Sequence, residues 1–443
     1  MKKTFENLKG TYDYLPEKQI LREKIKSILQ ETFIKYAYLP IETPTICSYD
    51  LLSSKYSENA DILNEIYKLS DQGERKLGLR YDLTITFSKL ISSNKEITLP
   101  FKRYEIGKVY RDGPVKTGRN REFTQCDVDS VGIKSLLAEA EYMTMISDVF
   151  GKLNLEIEIE YNNRKLLTGI IEDVFENIKE DKIKKTIMII DKLKKLTKED
   201  LLREFTEINM DLEKVEKLLD ILNLDFSSIQ KMYKNTSNEN IKTGIKEIAE
   251  LNEFLKESKV KNQMIFTPNL ARGIDIYTGT VWEVFVKNRK VNEIDFTSSI
   301  AGGGRYDKII TSFIDDGNTY PAVGMSFGLD VIYEVIKMKN KITKINPVDI
   351  YIIPINTEKE SFVLATNIRN LNLKVDIDMQ YKKLKKSLSY ADKNNIPYVI
   401  ILGEDELNKK IINLKCLSTG KVYKIDLTNL NKIVEIVINQ NLL

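Results

Sequence analysis

The sequence predicts an α+β fold in distinct regions, and three observations carry that reading. Residues 101–132 hold two alternating runs around a loop with glycine and proline, the pattern of an antiparallel hairpin. From about Asn163 to Lys259 charge density rises and the apolar residues take helical spacing, as in a small all-helical insertion. Beyond Pro347, runs that read as strands and helices alternate, as in an α/β unit with a mostly parallel core sheet. With 443 residues, 42% of them hydrophobic, the chain is long enough for about three domains of ~150 residues.

The N-terminal region opens on a turn-rich stretch, LKGTYDYLP at 8–16, followed by an amphipathic helix over Lys18–Tyr36. The extended run 39–46 contains Pro40 and Pro44, which suits an edge or interface strand because proline cannot donate to a ladder. Residues 64–70 and 76–81 read as a strand pair around Asp71-Gln72-Gly73, and a helix is expected over Ile85–Ser92. After the hairpin come a helix at 135–151 and a short strand at 154–160. Within the insertion, Thr197 and Asp200 have the spacing of a capping box. Alternation returns at Phe266, and a helix is expected over Val331–Lys339. The expected parts are therefore 1–162, an insertion at 163–259, 260–336, a basic linker at 337–346, and 347–443. In the last part, strands are expected at 348–354, 373–379, 397–402, 411–418 and 421–427.

Composition limits the chemistry. The chain has no histidine, which rules out Ser–His and Cys–His catalysis and any metal held by imidazole. Three widely spaced cysteines, Cys47, Cys126 and Cys416, show neither a disulfide framework nor zinc spacing and fit a reducing, cytoplasmic setting. No run is apolar enough for a signal peptide or a membrane span, so a soluble chain with no membrane partner is expected. Net charge is +3, an excess carried by residues 347–443, where the helix from Lys382 bears Lys383, Lys385, Lys386 and Lys393. No metal site is expected.

Strand alternation places Phe123, Gln125, Asp127 and Asp129 on one face of the hairpin, with Arg111 standing on the corresponding face of the first run and Lys116, Arg119 and Arg121 in the loop. Arginine offers a fork of donors to phosphate or carboxylate, an aromatic face can stack a base, and carboxylates with an amide suit a small ligand rich in N–H. Such a face also fits an ordinary solvated hairpin. Three further stretches stand out: RYDLT at 80–84, RGIDIYTG at 272–279 and GGGRYD at 302–307. Charged groups interrupting apolar runs, and consecutive glycines, both point to a site or to a buried network.

Taken together and in order, these stretches resemble the histidyl-tRNA synthetases, which are class II aminoacyl-tRNA synthetases. The resemblance rests on KGTYDYLP at 9–16, LRYDLT at 79–84, VYRDGPVKTGRNREFTQCDVD at 109–129 (motif 2), LARGIDIYTGTVWE at 270–283, AGGGRYD at 301–307, and LKKSLSYADKNNIPYVIILGEDE at 384–406. It implies a class II antiparallel catalytic sheet flanked by helices, a helical insertion and a C-terminal α/β anticodon-binding domain. It implies that L-histidine and ATP, accompanied by Mg2+, give histidyl-adenylate, and that the histidyl group passes to tRNA(His). It also implies a homodimer, with Pro44 at the interface. Arg111 would clamp the α-phosphate and the substrate carboxylate, Phe123 would stack adenine, and Arg119 and Arg121 would lie near the phosphates or the acceptor stem. Asp82, Leu83 and Thr84 would form the amino-acid-binding strand, with Asp82 and Thr84 on the α-amino group. Gln125 and Asp129 would bind near the amino group and imidazole, Tyr277 would contact the imidazole, and Arg272 would be the catalytic arginine.

Two departures from the family pattern stand out. Ile276 replaces the first of two tyrosines at the pocket rim, and Gly328-Leu329 leads into Asp330-Val331 where motif 3 reads Glu-Arg. The rival reading is a non-aminoacylating paralogue, such as the histidine-sensing regulatory subunit of ATP phosphoribosyltransferase. It shares the core fold and typically lacks the anticodon domain.

Overall fold

A computed structural model describes residues 5–54, 61–115, 120–194, 196–258, 260, 263–272, 276–339, 347–380 and 382–440. In chain order the first elements are α1 (Pro16–Lys35), β1 (Leu39–Pro40), β2 (Ile46–Ser48), α2 (Tyr49–Ser53), β3 (Lys68–Ser70), β4 (Lys76–Leu79) and α3 (Thr84–Ser93). The hairpin follows as β5 (Phe101–Tyr110) and β6 (Glu122–Val131), then α4 (Leu137–Lys152) and β7 (Ile157–Asn163). Six helices come next: α5 (Arg164–Phe175), α6 (Glu180–Ile190), α7 (Lys198–Glu207), α8 (Leu212–Ile221), α9 (Phe226–Met232) and α10 (Glu239–Leu255). Then come β8 (Met264–Phe266), β9 (Thr280–Val286), β10 (Lys290–Val291), β11 (Ile294–Asp295), β12 (Ala301–Arg305), α11 (Asp307–Ile314), β13 (Ala322–Gly328) and α12 (Leu329–Lys339).

The chain divides into two compact units, Met1–Asp13 with Leu21–Asn340, and Tyr14–Ile20 with Lys341–Leu443. The first is built on an eight-stranded sheet in the order β1-β5-β6-β13-β12-β9-β7-β8. Its interior pairs are antiparallel, while β1 with β5 and β7 with β8 are parallel at the two edges. The expected antiparallel sheet is therefore mixed at its margins. Parallel neighbours need a long crossover, and six helices separate β7 from β8.

Alternation along β6 sorts the two faces. Cys126 and Val128 enter the main core with Ile25, Leu29 and Phe33 of α1 and Ile146 and Phe150 of α4. Phe327 of β13 sits between Phe33 and Phe150, with ring centroids 5.7 and 5.8 Å away. The opposite face keeps its polar residues. Asn163 ends β7 and caps α5, accepting from the backbone N–H groups of Lys165 and Leu166, so this strand runs three residues past its expected end. Thr197 caps α7 by accepting from Asp200 N–H at 3.1 Å. Residues 61–65, expected partly as strand, form a 3-10 turn.

The second unit holds a five-stranded sheet whose members are β14 (Ile350–Pro354), β15 (Val375–Ile377), β16 (Tyr398–Leu402), β17 (Ile411–Cys416) and β18 (Val422–Asp426), in the order β15-β14-β16-β17-β18. Its helices are α13 (Glu358–Arg369), α14 (Leu384–Lys393), α15 (Glu404–Lys409) and α16 (Asn431–Gln440). Ile350 and Ile352 enter one apolar cluster and Tyr351 and Ile353 the other, so both faces of the central strand are buried. Only β14 pairs in parallel, with β15 and β16; β16–β17 and β17–β18 are antiparallel. The mostly parallel sheet expected from the sequence is thus half antiparallel, because the connections after β16 are too short for crossovers. Most of the expected linker, 340–346, lies outside the described residues.

Candidate active site

The site lies on the polar face of the large sheet. Register lines its residues up across strands: Arg103 of β5, Asp129 of β6 and Gly324 of β13 form one row, and Glu105, Asp127 and Ser326 form the next. Gly302 and Gly304 of β12 continue these rows beside Ser326 and Gly324. A Cβ on Gly324 would land on Asp129 Oδ1, one on Gly302 would land on the Arg272 guanidinium, and one on Gly304 would lie 2.8 Å from the Tyr277 ring. The glycines therefore form a trough whose space the functional side chains occupy.

One wall is the segment 80–84. Arg80 is buried and donates to Thr43 O at 2.6 Å, Lys108 O at 2.9 Å and Glu105 Oε1 at 2.8 Å. Glu105 also accepts from Thr43 N–H at 3.0 Å. This network fastens the loop to β5 and presents Asp82 and Thr84, both half-buried, where α3 begins. Asp82 Oδ1 accepts from Ile85 N–H at 3.1 Å. The Leu83 side chain is buried in the core, so only its backbone is available; its carbonyl accepts from Arg103 Nη2 at 3.3 Å.

The floor is charged and buried. Arg103 is fully buried, lies 4.2 Å from the Phe87 ring centroid and pairs with Asp129 at 2.7 Å. Tyr306 O–H donates to Asp129 Oδ1. Burial pushes the Asp127 and Asp129 carboxyls above the usual range, against the pull of Arg103.

At one end, Arg111 follows β5, donates to Tyr81 O at 3.2 Å and stands 5.1 Å over the Phe123 ring. Arg121 Nη2 lies 3.3 Å from Asp112, and its Nε donates to Gly113 O at 3.4 Å. Across the trough, Arg272 has φ +45° and donates to Trp282 O at 3.1 Å. Its guanidinium lies 3.8 Å from Glu283 and 5.3 Å over the Tyr277 ring. A left-handed arginine is a strained backbone held by its surroundings. Such a face offers cations and a ring to a nucleotide beside a polar pocket for a donor-rich molecule.

The structure thus gathers Arg111, Phe123, Gln125, Asp129, Arg272, Tyr277 and the 82–84 segment on one face. Ile276 instead joins the apolar cluster of Phe87, Ile91 and Ile310. Pro44 is exposed between β1 and β2, apart from the trough. Arg119 and Lys116 lie outside the described residues. Sequence reasoning assigned no role to Arg103, Glu105 or Tyr306. The parity of Phe101–Tyr110 was the available signal for the first two, since alternation sets Arg103 and Glu105 beside Gly107 and Val109. Arg305, next to Tyr306, points to the other face and makes a two-pronged pair with Glu139 at 2.7 and 2.8 Å.

The family models decide the kinship. Residues 10–332 match the histidyl-tRNA synthetase model, and residues 349–435 match the anticodon binding domain. The chain belongs to the histidyl-tRNA synthetase family. Among relatives of this synthetase family, Histidine--tRNA ligase 1 of Bacillus cereus is 45% identical, over 96% of this chain and 98% of that protein. Histidine--tRNA ligase 2 of Shouchella clausii is 42% identical, over 94% of this chain and 97% of that protein. The crystal structure of histidyl-tRNA synthetase from Nostoc sp. PCC 7120 matches with TM-score 0.84 and 26% identity, covering 98% of this chain and 100% of that one. A Bacillus halodurans structure titled as an ATP phosphoribosyltransferase regulatory subunit/histidyl-tRNA synthetase, 21% identical with TM-score 0.74, has the same fold.

Against the synthetase family pattern, Val331 is half-buried on the main core where motif 3 carries arginine. Asp330 beside it is buried, pairs with Arg22 of α1 and accepts from Thr124 N–H at 2.8 Å. Among the described residues no group of three or more acidic or cysteine side chains is placed to hold a metal ion.

Proposed function

We propose that the protein is a histidine--tRNA ligase, which activates L-histidine with ATP and transfers it to tRNA(His). The observation that carries this reading is the juxtaposition on one face of Arg111 over Phe123, the Asp129–Tyr306 pocket, and Arg272 beside Glu283. Phe123 stacks adenine and Arg111 holds the α-phosphate against the histidine carboxylate, with Arg121 towards the outer phosphates. Asp82 and Thr84 receive the α-amino group, helped by Gln125, and Asp129 and Tyr277 receive the imidazole. The carboxylate attacks the α-phosphorus in line and expels pyrophosphate, while Arg272 neutralises the charge that develops there. The nucleophile is already an anion, so no general base is required and a chain without histidine suffices. Mg2+ enters as the ATP complex, held chiefly by phosphate oxygens.

Selectivity follows from the same pocket. Its buried polar atoms stay unpaired when an apolar amino acid enters, which allows discrimination of about 10⁴ without editing.

The remaining assignments are part of the same proposal. Helices α5 to α10 act as an insertion, and residues 347–443 bind the anticodon. Exposed Leu39 (61%) and Ile46 (56%), flanking Pro44, support a homodimer interface. Three free cysteines, all buried, and the lack of any described helix long and apolar enough to cross a membrane support a cytoplasmic site of action.

The test is ATP–pyrophosphate exchange with each of the twenty amino acids. Exchange driven by histidine alone is expected. Val331 favours the second reading, a histidine-binding paralogue without ligase activity; histidine binding without exchange would select it.

A further inference from the structure

One carboxylate on the trough floor has no task in the reaction just described. Asp127 lies mid-β6 and is 3% exposed, between Glu105 across one strand pairing and Ser326 across the other. Glu105 is taken up by Thr43 and Arg80; Arg103 pairs with Asp129 and the Leu83 carbonyl, and its Nε and Nη1 hydrogen-bond no acceptor among the described residues, Asp127 included. Ser326 is different. Its Oγ accepts from Gln125 Nε2 at 3.0 Å, and its side chain also hydrogen-bonds Asp127.

A serine hydroxyl has one proton and two lone pairs. Because Ser326 Oγ accepts from Gln125, its own proton goes to Asp127. This fixes the Gln125 amide, with nitrogen towards Ser326 and Oε1 turned away from it. Gln125 Oε1 and Asp127 Oδ1 are then both buried acceptors with no donor among the described residues. They belong to residues two apart on one face of β6, so they stand side by side. Desolvated acceptors left empty are costly, and their presence in a native pocket calls for a donor from a ligand.

We propose that Asp127 is a substrate-binding residue which, with Gln125 Oε1 and Asp82, receives the three N–H donors of the α-ammonium group of histidine, and that Ser326 is the positioning residue that orients both acceptors. The inference rests on the reading that histidine binds here. On that reading the imidazole has its own station at Asp129 and Tyr277, and Asp129 lies one row along the sheet from Asp127. The α-ammonium is the substrate's most donor-rich group, and it needs three acceptors where a neutral imidazole needs one for its N–H. A neutral amide at position 127 would turn an N–H towards that ammonium.

The test uses calorimetry on the full chain with three ligands: histidine, histamine (ammonium but no carboxylate) and imidazolepropionate (carboxylate but no ammonium). The readout is the ratio of histamine to imidazolepropionate affinity, which general damage to the pocket leaves unchanged. In Asp127→Asn this ratio falls about 10- to 100-fold, and the KM for histidine in exchange rises by a similar factor with a smaller change in kcat. Ser326→Ala moves the ratio in the same direction by a smaller factor. Equal weakening of all three ligands in both variants would overturn the ammonium assignment, as would unchanged histidine binding in Asp127→Asn. Wild-type protein that binds no histidine would overturn the reading beneath it as well.

Discussion

Asp330 and Arg22 form a buried ion pair that joins the start of α12 to α1, and the second carboxylate oxygen of Asp330 holds Thr124 of β6 by its backbone N–H. Thr124 stands between Phe123 and Gln125, so this pair fixes the height of both residues above the trough. Asp330→Ala strands the Arg22 charge in the core, and a loss of about 3–5 kcal/mol is expected. Urea unfolding measures it. Arg22→Ala should cost a similar amount, and the double variant less than the sum of the two.

Arg272→Ala tests the catalytic assignment. Losing one preorganised charge at the developing oxyanion should lower kcat for pyrophosphate exchange about 10²- to 10³-fold. Histidine binding, measured separately by calorimetry, should change far less. A near wild-type exchange rate would remove Arg272 from the mechanism.

Gly324→Ala should abolish histidine-dependent exchange, because the new methyl occupies the place of Asp129 Oδ1 and breaks its contact with Tyr306. Gly151→Ala serves as a control. That glycine lies near the end of α4 with no atom within 4 Å of an added Cβ. Its replacement should raise stability by about 0.5–1 kcal/mol and leave exchange alone.

The buried Asp127 carboxyl gives the empty protein a pH signature. Burial pushes its pKa up to about 8, while Arg103 pulls the other way and Asp129 and Asp82 add to the rise. A carboxyl whose pKa is raised on folding holds a proton that the unfolded chain releases. Its favourable contribution is therefore complete below the ordinary carboxylate range and is lost as pH rises from about 4 towards 8. Asp127→Asn removes that loss. Melting curves should show the variant gaining on wild type between pH 5 and pH 8, even as it loses histidine.

Lys383 and Lys386 stand exposed at the start of α14. Reversing both to glutamate should raise the KM for tRNA in charging and steepen no other parameter. Pyrophosphate exchange, which needs no tRNA, should match wild type.

Much of this architecture was legible in the residue pattern, and the reason is local. The hairpin strands Phe101–Tyr110 and Glu122–Val131 follow from alternation, and the Thr197 cap from a spacing of three. Parity along β6 correctly set Phe123, Gln125, Asp127 and Asp129 on one face. What parity leaves open is the neighbour across the sheet. Ser326 meets Asp127 through a pairing almost two hundred residues apart in sequence, and Tyr306 reaches Asp129 over a similar gap. The same limit explains the parallel edges of the large sheet and the antiparallel half of the small one, since strand direction depends on partners as well as on composition. Ile276 shows a third limit. Its replacement of tyrosine was visible, but its turn into the Phe87 cluster depends on what the fold offers nearby.

The glycine trough has a consequence for how this protein rejects wrong molecules. Where Gly302, Gly304 and Gly324 line the bottom, the Arg272 guanidinium, the Tyr277 ring and the Asp129 carboxylate rest against peptide planes tied into the ladder on both sides. A wall of side chains yields by changing rotamer, whereas a wall of hydrogen-bonded backbone yields only by deforming the sheet. The depth of the cleft is thus gauged by its stiffest part, and a molecule slightly too thick presses those three side chains against a surface that cannot retreat.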